Sequence, residues 1–253
     1  MALFEHGTSR IYYEESGTGS PVLLLPGWAD NINNLSALRE LLSAEYRVIA
    51  ADLPGSGRSE PLPRAYTANY YEDDARSFAA LLRHLDTGPA HLAGFSDGGE
   101  VALLMAAVAP DVARSVVTWG AAGVLTEESL PMTEAMAGII DDPIPPLEQF
   151  REYLIATYGE ANARATTRSF SAALRAIIER GGDISLSRVG GITCPVFLIV
   201  GELDPIVPAH LVTRLAEHIP ASDLAVVDGA GHAVHDDRRE WFEKTLLDWL
   251  RKH

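Results

Sequence analysis

The sequence predicts an α/β protein: a mostly parallel sheet with helices on both faces and a helical insertion late in the chain. Three observations carry that reading. Apolar runs of strand length alternate with helix-length amphipathic stretches through residues 21–119, and the alternation resumes at residue 195. Strands separated by helices in this way form parallel sheets, because each crossover returns the chain to the same end. Between the two blocks, from Gly123 to Gly191, no convincing strand occurs and helical patterns dominate. Finally, Gly94-Phe95-Ser96-Asp97-Gly98-Gly99 lies between a short apolar run, Ala90–Ala93, and a longer one, Val101–Ala109. A serine between a strand end and a helix start sits on a sharp turn that small neighbours permit, with its hydroxyl exposed above the sheet.

Taken in order, Ile11–Glu15 and Pro21–Leu25 flank Gly17-Thr18-Gly19-Ser20, so the chain opens as a hairpin-like pair. The second run ends in Pro26-Gly27-Trp28, where strand yields to loop. Leu35–Leu42 has apolar residues at helical spacing, with Asn33 or Asn34 as the expected cap. Tyr46–Ala51 is the next strand, closing in the glycine-bearing stretch Asp52–Ser59. Thr67–Leu85 is a long helix with Phe78, Leu81, Leu82 and Leu85 on one side. After the serine strand and its helix, Ala113–Trp119 is a further strand.

The insertion is expected to be a helical cap over the sheet's C-terminal edge, with helices at Leu147–Tyr158 and Asn162–Arg180 and the break Pro143-Ile144-Pro145-Pro146 before them. Residues 1–122 and 192–253 are then the core and 123–191 the cap. The core resumes with Pro195–Gly201 as a strand, Ala209–His218 as a helix, Leu224–Val227 as a strand and Arg239–Arg251 as a closing helix.

The chain has 253 residues, of which 47% are hydrophobic, which suits one α/β domain with room for a cap. The net charge of −15 argues against nucleic acid and anionic membranes as partners. No apolar run has the length of a membrane span, and the first residues lack the basic and apolar regions of a signal peptide. The lone cysteine, Cys194, forbids an internal disulfide and suits a reducing, cytoplasmic compartment. It reads as a small buried hydrophobe, and no metal or other cofactor is called for.

A serine hydroxyl is a poor nucleophile at neutral pH, so Ser96 needs a base in hydrogen-bond reach and a third group to orient that base. In sheets of this kind the partners follow as acid and then histidine, each on a loop leaving a later strand. Asp204 follows the Pro195–Gly201 strand, and His232 follows Leu224–Val227 within Gly229-Ala230-Gly231-His232. Of the eight histidines, only His235 rivals His232; for the acid, Glu202 stands two residues before Asp204. The oxyanion needs two donors, expected to be the backbone N–H groups of Asp97 and Trp28. Asp97 also sets a carboxylate beside the nucleophile, which needs a compensating cation. From Arg114 to Arg151 the chain holds Glu127, Glu128, Glu134, Asp141, Asp142 and Glu148 with no lysine or arginine between. Such a rim suits a substrate ammonium group; the alternative is a solvated cap face and an aspartate favoured by the helix dipole.

These motifs resemble one family. Leu25-Pro26-Gly27, the run Asp52–Ser59, Tyr71-Glu72-Asp73-Asp74-Ala75, Gly94–Gly99, Thr118–Ala121, Cys194–Pro208 and Gly229–His232 together are similar to the α/β-hydrolase superfamily, and within it to the valacyclovir hydrolase (biphenyl hydrolase-like) branch. The resemblance implies an eight-stranded sheet with the cap inserted after strand 6. It implies Ser96, Asp204 and His232 as nucleophile, acid and base, and cleavage of α-amino acid esters with Asp97 on the substrate's amino group. Phe95 departs from the branch, which usually carries tryptophan there. The partner expected is therefore a small-molecule ester, with or without a free ammonium group. The alternatives are a general carboxylesterase, a carbon–carbon hydrolase acting on ring-cleavage dienoates, and a non-catalytic small-molecule receptor.

Overall fold

The computed structural model describes residues 2–253 as one eight-stranded sheet in the order β1-β2-β4-β3-β5-β6-β7-β8. The strands are β1 (Ala2–His6), β2 (Ser9–Ser16), β3 (Pro21–Leu25), β4 (Arg47–Ala51), β5 (Ala90–Phe95), β6 (Ala113–Trp119), β7 (Val196–Gly201) and β8 (Ser222–Val227). From β4 through β8 every neighbouring pair is parallel; β1 and β2 are joined antiparallel at one edge. The helices are α1 (Ser36–Ser43), α2 (Tyr70–His84), α3 (Asp97–Val108), α4 (Leu130–Gly138), α5 (Glu148–Tyr158), α6 (Glu160–Glu179), α7 (Ala209–His218), α8 (Val234–Asp237) and α9 (Arg239–Lys252).

The central strands are apolar throughout because both of their faces are covered. Side chains alternate between faces along a strand, so Leu23 and Leu25 of β3 join one core and Val22 and Leu24 the other. Phe78 and Leu81 of α2, Val101 to Ala106 of α3 and Leu211 of α7 fill the first core. Leu38 and Leu42 of α1 and Phe242, Leu246 and Trp249 of α9 fill the second. Burial on this scale, at about 25 cal/mol per Å² of apolar surface, is the dominant stabilising contribution. Between β6 and β7 the chain is helical, with α4 and α5 packed on α6 and a single isolated bridge, Val124 to Asp183, at the base.

Two local expectations are corrected. β2 and β3 do not pair as a hairpin: β4 lies between them, antiparallel to β2 and parallel to β3. The Gly17–Ser20 connection passes over the start of β4, and a Cβ at Gly17 would collide with the Tyr46 carbonyl. β2 pairs instead with β1, which has only weak strand character in the sequence. Nor does Asn33 or Asn34 cap α1, whose N-cap is Leu35 with no side-chain bond. Asn34 donates its amide to Asp30 and the Asn31 side chain accepts the Asn33 N–H at 3.0 Å, so this loop's polar groups bond one another instead.

Candidate active site

Ser96 sits between β5, in the middle of the sheet, and α3. Its backbone is left-handed, φ 51° and ψ −118°, a strained conformation for a residue with a Cβ that persists only where the surroundings over-determine it. Gly94, Gly98 and Gly99 supply that determination. A Cβ at Gly94 would strike the Gly98 carbonyl, one at Gly98 would lie 2.7 Å from the Leu25 carbonyl oxygen, and one at Gly99 would strike Thr118 Oγ1. Only glycine lets the turn close this tightly. The Ser96 N–H donates to the Trp119 carbonyl at 2.8 Å, which anchors the turn to β6.

The structure brings the three residues read from the sequence into one chain of hydrogen bonds. His232 Nε2 lies 3.0 Å from Ser96 Oγ, and His232 Nδ1 lies 2.7 Å from Asp204 Oδ2. The other Asp204 oxygen accepts the N–H groups of Ile206 and Val207 at 2.8 and 2.9 Å, so the carboxylate cannot rotate away. With an ionised acceptor on Nδ1, that nitrogen carries the proton and Nε2 is left with its lone pair toward Ser96. The imidazole is boxed in by the Phe95 ring, 5.0 Å between centroids, and by the backbone of Gly120.

The rivals are placed elsewhere. His235 Nδ1 accepts the indole N–H of Trp119 at 3.0 Å, and burial lowers its pKa, so it stays neutral. It packs against Phe95 at 4.8 Å and has no bond to Ser96. Glu202 is exposed and accepts the Gly229 N–H at 3.1 Å; Asp237 accepts the Gly231 N–H at 2.8 Å. Both carboxylates brace the loop that carries His232.

Trp28 follows Gly27, whose Cα approaches Phe95 and Ser96 so closely that a Cβ would lie 3.4 Å from Ser96 Cβ. The Trp28 N–H has no backbone acceptor among the described residues, and the Asp97 N–H opens α3, where no intrahelical acceptor exists. The loop is held by other residues: Asp52 accepts the Ile32 N–H at 2.8 Å, Ser56 Oγ accepts the Ala29 N–H at 3.1 Å, and the Tyr158 hydroxyl donates to the Ala29 carbonyl at 2.7 Å. The Trp28 indole stacks on Phe170, 3.9 Å between centroids.

Among the described residues Asp97 has no cationic partner and is held by two phenols. Its Oδ1 accepts the Tyr71 hydroxyl at 2.8 Å and its Oδ2 the Tyr70 hydroxyl at 3.0 Å. Burial pushes its carboxyl up to about 7, against the pull of the two hydroxyls, and the charges of Glu100 and Asp74 push the same way. Glu100, one helical turn on, accepts the N–H groups of Ala122 and Gly123 at 2.8 and 2.7 Å and the Ser185 hydroxyl at 2.9 Å. It ties α3 to both ends of the helical segment. The acids of that segment are also less exposed in charge than the sequence implies: Asp141 pairs with Arg164 and Arg168, and Glu134 with Arg175, all from α6.

Ser96, Asp97 and His232 open into a cavity of about 620 Å³, walled on the far side by residues of the helical segment such as Met136 and Phe170. Among the described residues, the ionisable groups lining it are Asp30, Asp97, Glu100, Glu128 and Asp236 with Tyr71, Tyr153, His232 and His235, and no lysine or arginine. Tyr70 and Tyr71 went unrecognised as site residues in the sequence. The signal was a tyrosine pair at the start of a helix, which periodicity assigns to the core.

The fold and this strand–turn–helix site define an α/β hydrolase, and the chain belongs to that family: residues 22–245 match the Alpha/beta hydrolase family model. It is similar to the serine hydrolase BPHL of Homo sapiens, 29% identical over 96% of this chain and 83% of that one, in keeping with the branch that its motifs resemble. It is also similar, at 29% identity, to the 2-hydroxy-6-oxononadienedioate/2-hydroxy-6-oxononatrienedioate hydrolase of Burkholderia vietnamiensis, over 98% of this chain and 93% of that one. A solved thermophilic esterase of Thermogutta terrifontis, with malate bound, superposes at a TM-score of 0.73 with 27% identity, covering 96% of this chain and 94% of its own. The protein is a hydrolase.

Proposed function

We propose that the protein cleaves carboxylic esters through an acyl-enzyme on Ser96, and that α-amino acid esters are its substrates. The single observation that carries the first part is the bond chain Asp204–His232–Ser96 at 2.7 and 3.0 Å. In the acylation step Ser96 Oγ attacks the ester carbonyl carbon while its proton passes to His232 Nε2. The carbonyl oxygen becomes an oxyanion between the N–H groups of Trp28 and Asp97, with the N-terminus of α3 behind it. Collapse expels the alkoxide, which takes the proton from His232. A water then gives a proton to His232 Nε2 as it attacks the acyl carbon; collapse breaks the bond to Ser96 Oγ, which takes that proton back from His232, and the acid leaves. Residues 123–191 serve as the cap that excludes bulk water.

The amino-ester reading rests on charge. A cavity lined by five carboxylates and no lysine or arginine favours a substrate that brings a cation. The dienedioate named for the Burkholderia relative carries two carboxylates, and this cavity offers no cation to meet them.

The test is a panel of benzyl esters with and without a free α-amino group, compared by kcat/KM, alongside labelling by a fluorophosphonate probe. Labelling that disappears in Ser96→Ala is expected. Asp97→Ala should lose about 30-fold or more on amino esters, since removing one partner of a partly desolvated ion pair costs roughly 2–5 kcal/mol and 1.4 kcal/mol is tenfold. Equal losses on both ester types would leave a general carboxylesterase.

A further inference from the structure

Asp97 carries an unusual demand. It must be ionised to hold an ammonium group, yet it is buried beside the nucleophile with no cation bonded to it among the described residues. We propose that Tyr70 and Tyr71 are positioning residues for substrate selection: by donating their hydroxyls to the two oxygens of Asp97, they keep that carboxylate ionised and in one orientation for the substrate's ammonium group. The inference rests on the amino-ester reading above and adds to it the groups that make Asp97 competent.

The geometry leaves the carboxylate little freedom. Tyr70 and Tyr71 are the first two residues of α2, their rings stacked at 4.0 Å between centroids, and both are buried. One hydroxyl reaches each oxygen, so the carboxylate cannot turn about its last bond without breaking both contacts. A carboxylate oxygen can accept about two hydrogen bonds, so each keeps capacity for a further donor. Tyr71 lines the cavity beside Asp97.

The choice of phenols has a chemical reason. A lysine or arginine would also favour the ionised form, but it would cancel the charge and occupy the place of the substrate's cation. A phenol stabilises the carboxylate by hydrogen bonding and leaves its net charge intact. Both hydroxyls remain protonated, since burial and the charge of Asp97 raise them well above the ordinary tyrosine range. The other charged or titratable groups around Asp97 do not supply the missing support. From α2 there is Asp74, whose two oxygens are taken by Arg64 at 2.7 and 2.6 Å. From the segment before α2 there are Tyr66 and that same Arg64; from α3 there is Glu100; and beyond Ser96 lies His232. Asp74 and Glu100 both oppose ionisation of Asp97.

The readout is the ratio of kcat/KM for L-phenylalanine benzyl ester to that for 3-phenylpropionic acid benzyl ester, measured from pH 5 to 9 with the full chain. Taking the ratio cancels the pH dependence of the catalytic steps that both esters share. In the wild-type protein the ratio should fall on the acid side with a midpoint near the Asp97 value of about 7. The substrate amine bounds it on the alkaline side. Y70F and Y71F should each move the acid limb up by about one pH unit, as expected when a carboxylate loses a hydrogen bond to its ionised form. The double variant should move it further and lower the maximum. Acid limbs that overlay the wild type in both single variants would overturn the proposal, even where both esters lose activity together, because a structural role alone moves no limb. Asp97→Asn separates the two claims. A flat ratio near one supports the underlying reading; a retained bell in that variant would overturn the amino-ester reading itself.

Discussion

The backbone of Gly120 forms the wall against which the His232 imidazole rests: a methyl group built on Gly120 would lie 2.7 Å from His232 Cε1 and 3.1 Å from Nδ1. Gly120 has φ 75°, in the left-handed region, and follows β6 directly. Gly120→Ala should therefore both strain the backbone, by roughly 1 kcal/mol, and push the ring off its bond to Ser96. A misplacement near 1 Å costs on the order of 10²-fold, so kcat should fall by about that factor while the far-UV spectrum is kept. A kcat within twofold of wild type would show that the ring has room the geometry denies it.

The two neighbouring histidines should separate cleanly. His232→Ala or Ser96→Ala should lower kcat on the order of 10⁴- to 10⁶-fold, as residues that act as a unit do in serine hydrolases. His235→Ala removes the acceptor of the Trp119 indole N–H, which costs about 1–3 kcal/mol of stability for a buried unpaired donor. Its kcat should stay within about tenfold, because its hydrogen bond goes to Trp119 and not to Ser96 or Asp204. Steady-state kinetics with thermal melts decide it, and a reversed order would move the base to His235.

Glu202→Gln is expected to retain activity within a few-fold. Its carboxylate binds the Gly229 N–H, which the amide oxygen of glutamine can also accept. Asp204→Asn replaces an oxygen that faces His232 Nδ1 at 2.7 Å with a group able to present a second donor, so the tautomer is wrong for catalysis. Losses of equal size in the two variants would mean that the orienting role is shared.

Asp97→Asn should stabilise the fold as it removes amino-ester selectivity, and the gain should grow with pH. The folded-state carboxyl is raised to about 7 from an ordinary 3.8, so the folded chain holds its proton more tightly than the unfolded one. The wild type therefore loses stability as pH rises through that interval, and above it the whole cost of a buried charge is present. The asparagine variant carries no such cost. Its stability advantage should grow by about 2–3 kcal/mol between pH 5 and pH 8, read as a widening Tm difference. An advantage that shrinks with rising pH would show that Asp97 is already stabilised as an anion.

Much of the fold was legible because it is written in local patterns. Apolar runs fully buried on two faces mark β3 to β7, and amphipathic stretches mark the helices between them. The bounds of α7 and β6 agree with the residues alone. The turn at Ser96 was legible for the same reason, since its glycines and flanking apolar runs are all within a few positions. The order of acid and histidine follows because each sits on a loop after a recognisable strand.

What only the tertiary structure decided are the relations between residues far apart in the chain. Periodicity states that a strand has two buried faces but not which strand lies beside it, so β4 between β2 and β3 could not be read from the sequence. It places Tyr70 and Tyr71 within a helix expected over Thr67–Leu85, but does not state that the helix starts at Tyr70 or that the two hydroxyls end on Asp97, 27 and 26 positions away. It shows a run of acids without bases, but not that Arg164, Arg168 and Arg175 of α6 return to pair with them. The physical reason is common to all three. Local sequence sets dihedral preference and the face a side chain occupies, whereas hydrogen bonds and ion pairs between elements depend on distances that exist only once both cores have packed.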